Sequence, residues 1–169
     1  MNGFVNLGNT CYLNSALQML FNIDELSHFL NKYGTKSQLI NKLYNLNMAY
    51  HRQTNQSISP HDLKHYVGSK KNIFNTFSQE DSSEFIILLL EIINKELSDA
   101  NISDTFDKHL NIQSIGSVKC KNLNCLKESN KKDNLIFLNL TPCNNLTESY
   151  RKYKEFERLE KDNKYYCDN

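Results

Sequence analysis

Residues 3–20 run from a glycine- and asparagine-containing turn directly into a helix that begins on a cysteine. The turn is Gly3-Phe4-Val5-Asn6-Leu7-Gly8-Asn9-Thr10, the cysteine is Cys11, and Leu13, Ala16, Leu17, Leu20 and Phe21 then recur at helical spacing. Asn9 and Thr10 are both good helix-capping types. A cysteine taken at random is most often a small buried hydrophobe. One at the tip of a helix meets unpaired N–H groups and the positive end of the macrodipole, both of which favour thiolate over thiol. This stretch therefore demands a fold in which a helix start is presented to solvent or to a cleft, and it marks Cys11 as a nucleophile.

The rest of the composition narrows the setting. The chain has 169 residues, enough to bury a real core, and a formal net charge of +1, which argues against a broad nucleic-acid or membrane surface. No apolar run approaches the roughly 18–20 residues of a membrane span. The start at Met1 carries no basic, apolar leader. Five cysteines, Cys11, Cys120, Cys125, Cys143 and Cys167, are odd in number and irregularly spaced. They read as thiols for catalysis or metal in a reducing cytoplasm or nucleus, not as a disulfide framework.

Along the chain, the pattern predicts one helix from Tyr12 to about Lys32 and a second over 36–51. A polar loop over 52–60 leads to a short helix entered at Pro60. Ser78-x-x-Asp81 reads as a capping-box start for a helix over 84–97 that is apolar almost all round. Beyond about residue 105 the pattern turns to strands, at 111–118 and at 135–140, where Ile136, Leu138 and Leu140 alternate. The tail from Glu148 to Cys167 reads as a helix followed by a short turn.

The cysteine stretch closely resembles the cysteine box of the ubiquitin-specific proteases, with nearly every fixed position matched from Gly3 to Leu20. Gln79-Glu80-Asp81-Ser82-Ser83-Glu84-Phe85 resembles the second box of that family, departing from it at Glu80 and Ser82. The resemblance implies an α+β, papain-like cysteine protease fold: a helical thumb over 1–105, part of the β fingers over 106–169, and a palm largely missing. It implies Cys11 as nucleophile and Asn6 as the amide that donates to the oxyanion. Gln79, Asp81 and Glu84 would meet the basic C-terminal tail of ubiquitin, arginine–carboxylate pairing supplying charge and bidentate geometry. First-turn carboxylates that only complement the helix dipole remain an alternative for Asp81 and Glu84.

Cys120-x4-Cys125 resembles the family's first zinc knuckle, and Tyr165-Tyr166-Cys167 the start of its second. Structural Zn(2+) on Cys120, Cys125 and Cys167 is the implied cofactor, with the tetrahedral set one sulfur short. Cys143 is a poor substitute, across a strand from the knuckle. The family's catalytic histidine follows the second knuckle, and none of His28, His51, His61, His65 or His109 lies in that order. His65-Tyr66-Val67-Gly68 only superficially looks like a histidine box.

The expected function is thiol-dependent hydrolysis at the C-terminal glycine of ubiquitin. Ubiquitin and ubiquitinated proteins are the implied partners, and the missing C-terminal half would come in cis or in trans. This chain alone is expected to be inactive. A ubiquitin-binding fragment without catalysis and a zinc-ribbon interaction or nucleic-acid module are the alternatives; the lack of a basic, aromatic strip speaks against the last.

Overall fold

The computed structural model describes residues 2–52, 54–122 and 124–167, with the side chains of Asp107 and His109 outside that description. The chain forms two compact units, 1–110 and 111–169. The first is helical and the second holds a two-stranded sheet, an α+β composition.

In the first unit, α1 (Cys11–Phe21) buries Tyr12, Leu13, Ala16, Leu17, Leu20 and Phe21 and leaves Cys11, Ser15, Gln18 and Met19 outside. The single helix expected over 12–32 is in fact two. Asn22 ends α1, its side-chain amide donating to the Gln18 carbonyl (2.6 Å) and to the Tyr50 hydroxyl (3.0 Å). Ile23 is extended, and α2 (Asp24–Tyr33) restarts with Asp24 and Glu25 in its first turn. That acidic pair behind an asparagine is a stop–start signal which the unbroken apolar period concealed.

Helix α3 (Gln38–His51) is capped by Ser37, whose hydroxyl accepts from the Ile40 N–H. Pro60 sits at the N-cap of α4 (His61–Lys70), which runs into a 3-10 turn at Asn72–Asn75. At Gly68 a Cβ would lie 2.8 Å from that of Asn75, so the glycine is what lets this turn fold back on α4.

Helix α5 (Ser82–Asp99) is capped by Asp81, not started at Ser78 as the sequence suggested. It ends in a Schellman motif: Asn101 is left-handed (φ 58), its N–H donates to Ser98, and the Ile102 N–H reaches back to the Leu97 carbonyl at 2.8 Å. The helix is also less uniformly buried than its composition implied. Phe85, Ile86, Leu89, Leu90, Ile92, Ile93 and Leu97 face the core, while Ile87 and Glu91 are exposed. Both α1 and α3 pack against it. Glu96 ties three helices together, accepting from the Leu39 N–H (3.1 Å) and from the Tyr66 hydroxyl. Burial, reinforced by Glu96, pushes the Tyr66 phenol up to about 12. A last short helix, α6 (Asp107–Leu110), closes the unit.

The amino-terminal segment is latched to this body. Phe4 forms a parallel bridge with Ile58, and its ring stacks on Tyr50 at 5.6 Å. The Asn2 side chain, 5 % exposed, donates to the Ala49 carbonyl and the Thr54 hydroxyl.

In the second unit β1 (Ile112–Lys119) pairs antiparallel with β2 (Glu128–Leu135), in register from Ile112↔Leu135 to Lys119↔Glu128. The strand expected over 135–140 is displaced: β2 is the polar run ahead of it, and 136–140 has no regular structure. Both faces of the hairpin are largely exposed, so no in–out alternation marks its register. Asn145 caps α7 (Leu146–Tyr153), and a 3-10 turn at Lys161–Asn163 follows. None of the described helices is long and apolar enough to cross a membrane.

Candidate active site

The turn before α1 is built around two successive left-handed residues, Gly8 (φ 95) and Asn9 (φ 51). Glycine adopts that conformation freely and asparagine is among the few others that do so at low cost. One acceptor organises the turn. Asn6 Oδ1 accepts from the Gly8 N–H (3.0 Å), the Thr10 N–H (3.2 Å) and the Thr10 hydroxyl (3.1 Å). Two of those donors are backbone N–H groups, which cannot accept, so the carboxamide orientation is forced. Its Nδ2 hydrogens are thereby left as donors.

Thr10 stands at the N-cap of α1, yet its side chain does not cap the helix. Fully buried, its hydroxyl instead accepts from the Leu7 N–H at 2.9 Å and donates to Asn6. The first intrahelical bond runs from the Asn14 N–H to the Thr10 carbonyl, so the N–H groups of Cys11, Tyr12 and Leu13 carry no side-chain cap. Cys11 is exposed at this point. An exposed thiol, uncapped amides and a locked carboxamide with free donors are the parts needed to hold a developing oxyanion beside a sulfur nucleophile.

The second box is brought against the first. The Asn9 Nδ2 donates to the Phe77 carbonyl at 2.8 Å, and a Cβ on Gly8 would stand 3.3 Å from the Phe77 ring. Tyr12, Phe74 and Phe85 form a triangle of rings with centroids 5.3–5.7 Å apart, joining α1 to α5 through the 3-10 turn. The Tyr12 phenol is pushed up to about 12, first by burial and then by the negative charge of Glu80.

Gln79 and Glu84 are exposed, Glu84 in the first turn of α5. Asp81 Oδ1 accepts from the Ser83 N–H (2.6 Å) and the Glu84 N–H (3.0 Å), and these bonds hold its carboxyl below the usual 3.8. A depressed carboxylate supports the fold above its unfolded value and loses that support as pH falls through the folded one. The first turn of α5 is therefore expected to fray in acid, below pH 3.8. Faster amide exchange at Ser83 and Glu84 there, with α3 unchanged, is the check.

No described histidine meets Cys11. His51 Nε2 lies against the Phe21 carbonyl (3.0 Å) and His61 against Asp62 (3.4 Å), while His65 lines a shallow groove on α4 with Tyr66 and Lys70. The side chain of His109 lies outside the described residues.

In the second unit Cys120 and Cys125 sit in the loop joining β1 to β2, and Cys167 comes beside them. Their sulfurs all lie within 4.8 Å of one another, with Cys125 and Cys167 3.6 Å apart. Tetrahedral zinc with Zn–S bonds of about 2.3 Å sets sulfurs about 3.8 Å apart, so the three thiols fit such an ion. Cys143 is outside the cluster, its sulfur against the Thr141 carbonyl. These three thiols could hold a metal ion. If that ion is zinc and three thiolates share the roughly 10–16 kcal/mol typical of structural zinc, Cys125→Ser weakens its binding about a hundredfold or more, read by competition with a chelator.

Comparison with known proteins decides the lineage of this arrangement. The ubiquitin carboxyl-terminal hydrolase family model matches residues 2–156. The chain belongs to the ubiquitin carboxyl-terminal hydrolase family. The probable ubiquitin carboxyl-terminal hydrolase 1 of Schizosaccharomyces pombe is 31 % identical over 135 residues, covering 68 % of this chain and 16 % of that protein. Ubiquitin carboxyl-terminal hydrolase 1 of Arabidopsis thaliana is 32 % identical over 140 residues, covering 74 % and 13 %. For ubiquitin carboxyl-terminal hydrolase 19 of Rattus norvegicus the figures are 35 % over 108 residues, 57 % and 8 %. This family member thus spans about a sixth or less of the length of these relatives. Membership implies a papain-like fold, consistent with its mixture of helices and a small sheet.

Thr10 and Lys64 are the structural surprises of the site. Thr10 looks like a helix cap and serves the turn instead. Lys64 looks solvated but is 8 % exposed. Its position three and four residues before buried Val67 and Gly68 was the available signal, since all three share one face of α4.

Proposed function

We propose that this chain is the cysteine-bearing part of a deubiquitinase, thumb at 1–105 and part of the fingers at 106–169, acting in the cytoplasm or nucleus on ubiquitin and ubiquitinated proteins. Cys11 Sγ attacks the carbonyl carbon of ubiquitin's terminal glycine. The carbonyl π electrons move to oxygen, which is held by the Asn6 Nδ2 hydrogens and the uncapped amides at the start of α1. Collapse expels the lysine amine, which takes a proton, and leaves a thioester that water hydrolyses. Asp81 Oδ1 is engaged in capping, so its second oxygen, with exposed Gln79 and Glu84, meets the basic ubiquitin tail. Zinc on Cys120, Cys125 and Cys167 is structural and takes no part in the chemistry. The imidazole that activates Cys11 and protonates the amine comes from outside the described residues.

The observation that carries this reading is the exposed Cys11 thiol on an uncapped helix start, beside an amide whose oxygen is fully engaged and whose hydrogens are free. Ubiquitin bearing a C-terminal electrophile tests it, offered to the chain alone and with the histidine-bearing half of a relative supplied in trans. A single-ubiquitin adduct mapping to Cys11, absent in Cys11→Ala, is the expected result. The absence of any described imidazole at Cys11 favours one other reading, a ubiquitin-binding module without catalysis. Saturable ubiquitin binding with no adduct in either arm would establish that one instead.

A further inference from the structure

We infer that Lys64 is a positioning residue for the nucleophile turn, acting through the 74–77 segment; the inference rests on reading Cys11 as the nucleophile. Its ammonium is buried in α4 without a carboxylate partner among the described residues. Nζ donates to the Phe74 carbonyl (3.1 Å) and the Thr76 carbonyl (2.8 Å) and stands 5.6 Å from the centre of the Phe77 ring. Burying a charge against neutral dipoles alone is unfavourable compared with an apolar side chain of the same length, so bulk packing does not account for a lysine here. What the lysine adds is geometry. It staples two carbonyls immediately before Phe77, and Phe77 meets the turn twice: its carbonyl takes the Asn9 amide at 2.8 Å and its ring closes on Gly8. Gly8 and Asn9 are the two left-handed residues that aim Thr10 and Cys11. The path from α4 to the sulfur therefore runs through two sets of polar contacts, Lys64 to the Phe74 and Thr76 carbonyls and Asn9 to the Phe77 carbonyl, with Cys11 two residues beyond Asn9 along the chain.

The staple also explains how the two boxes keep their spacing. The segment after Phe77 leads through Gln79 and Glu80 to the Asp81 cap, so the same lysine sets where the tail-facing residues stand relative to Cys11. Methionine at 64 would fill the volume but leave the Phe74 carbonyl, at a buried bond, without its donor.

Hydrogen exchange across the whole chain tests this, comparing wild type with Lys64→Met, Lys64→Arg and Asn9→Ala. The Gly8 and Thr10 amides, bonded to Asn6, report the turn, and α3 serves as internal control. Lys64→Met is expected to speed exchange in 5–12 by about tenfold or more while α3 is unmoved, and Lys64→Arg, which retains donors for both carbonyls, to restore most of the protection. The Lys64→Met and Asn9→Ala effects on 5–12 should be non-additive, because both break one path. If Lys64→Met does not fold, Lys64→Gln with its single donor group carries the same comparison. Unchanged protection of 5–12, equal loss in every segment, or effects that simply multiply would overturn the inference. Labelling by the ubiquitin electrophile is scored separately. Its failure in wild type would remove the nucleophile assignment while leaving the exchange result to decide what Lys64 holds.

Discussion

Asn6→Asp is expected to reduce acylation of Cys11 by ubiquitin about 10²–10³-fold while leaving the melting transition nearly where it was. The carboxylate keeps an acceptor in place of Oδ1, so the Gly8 N–H, the Thr10 N–H and the Thr10 hydroxyl all retain their partner. What disappears is the pair of Nδ2 hydrogens, replaced by an oxygen that repels the oxyanion. Asn6→Ala removes both functions. It strands the turn donors as well, adding about 1–3 kcal/mol of destabilisation to the same kinetic loss. The contrast between the two variants separates the amide's two ends, with labelling rate and denaturant midpoint read on each. Wild-type labelling by Asn6→Asp would show that the amide hydrogens are not used.

Phe85→Ala is expected to cost about 3–5 kcal/mol, a large share of the roughly 5–15 kcal/mol that holds a domain folded. The ring is fully buried and edge-on to both Tyr12 and Phe74, so its removal opens a cavity where α1, α5 and the 3-10 turn meet. Phe77, one helix start away and 74 % exposed, offers the control. Phe77→Ala should change stability by less than about 1 kcal/mol despite removing as many atoms. Urea unfolding followed by circular dichroism gives both numbers, and similar costs at the two positions would contradict the assigned core.

The elements that the sequence announces are those in which local chemistry and burial agree. α1 starts on Cys11 because a turn rich in glycine and asparagine abuts an apolar stripe, and α3 and α4 show comparable starts at Ser37 and Pro60. Errors fall where two local signals compete or where neither face is buried. Ser78 and Asp81 both qualify as caps, and it is the Asp81 carboxylate that takes the Ser83 and Glu84 N–H groups. β2 is polar throughout and forms by backbone pairing with β1, so its side chains carry no signature of the strand. At the candidate site, residue types singled out Asn6 and Cys11, but not which end of the Asn6 amide is free. Nor did they show that Thr10 leaves the helix uncapped, because both depend on hydrogen bonds that exist only once the turn has closed. Lys64 stayed hidden because a charge in a short helix ordinarily faces water.

The bond between Asn9 and Phe77 spans 68 positions of chain. During synthesis the Cys11 sulfur leaves the ribosome early, but the clasp on its turn must await the arrival of a residue made several seconds later, at the usual 5–20 residues per second. Until then Asn9 has no carbonyl to hold, and under the proposed function the thiol gains its aim only once the chain has been made through Phe77.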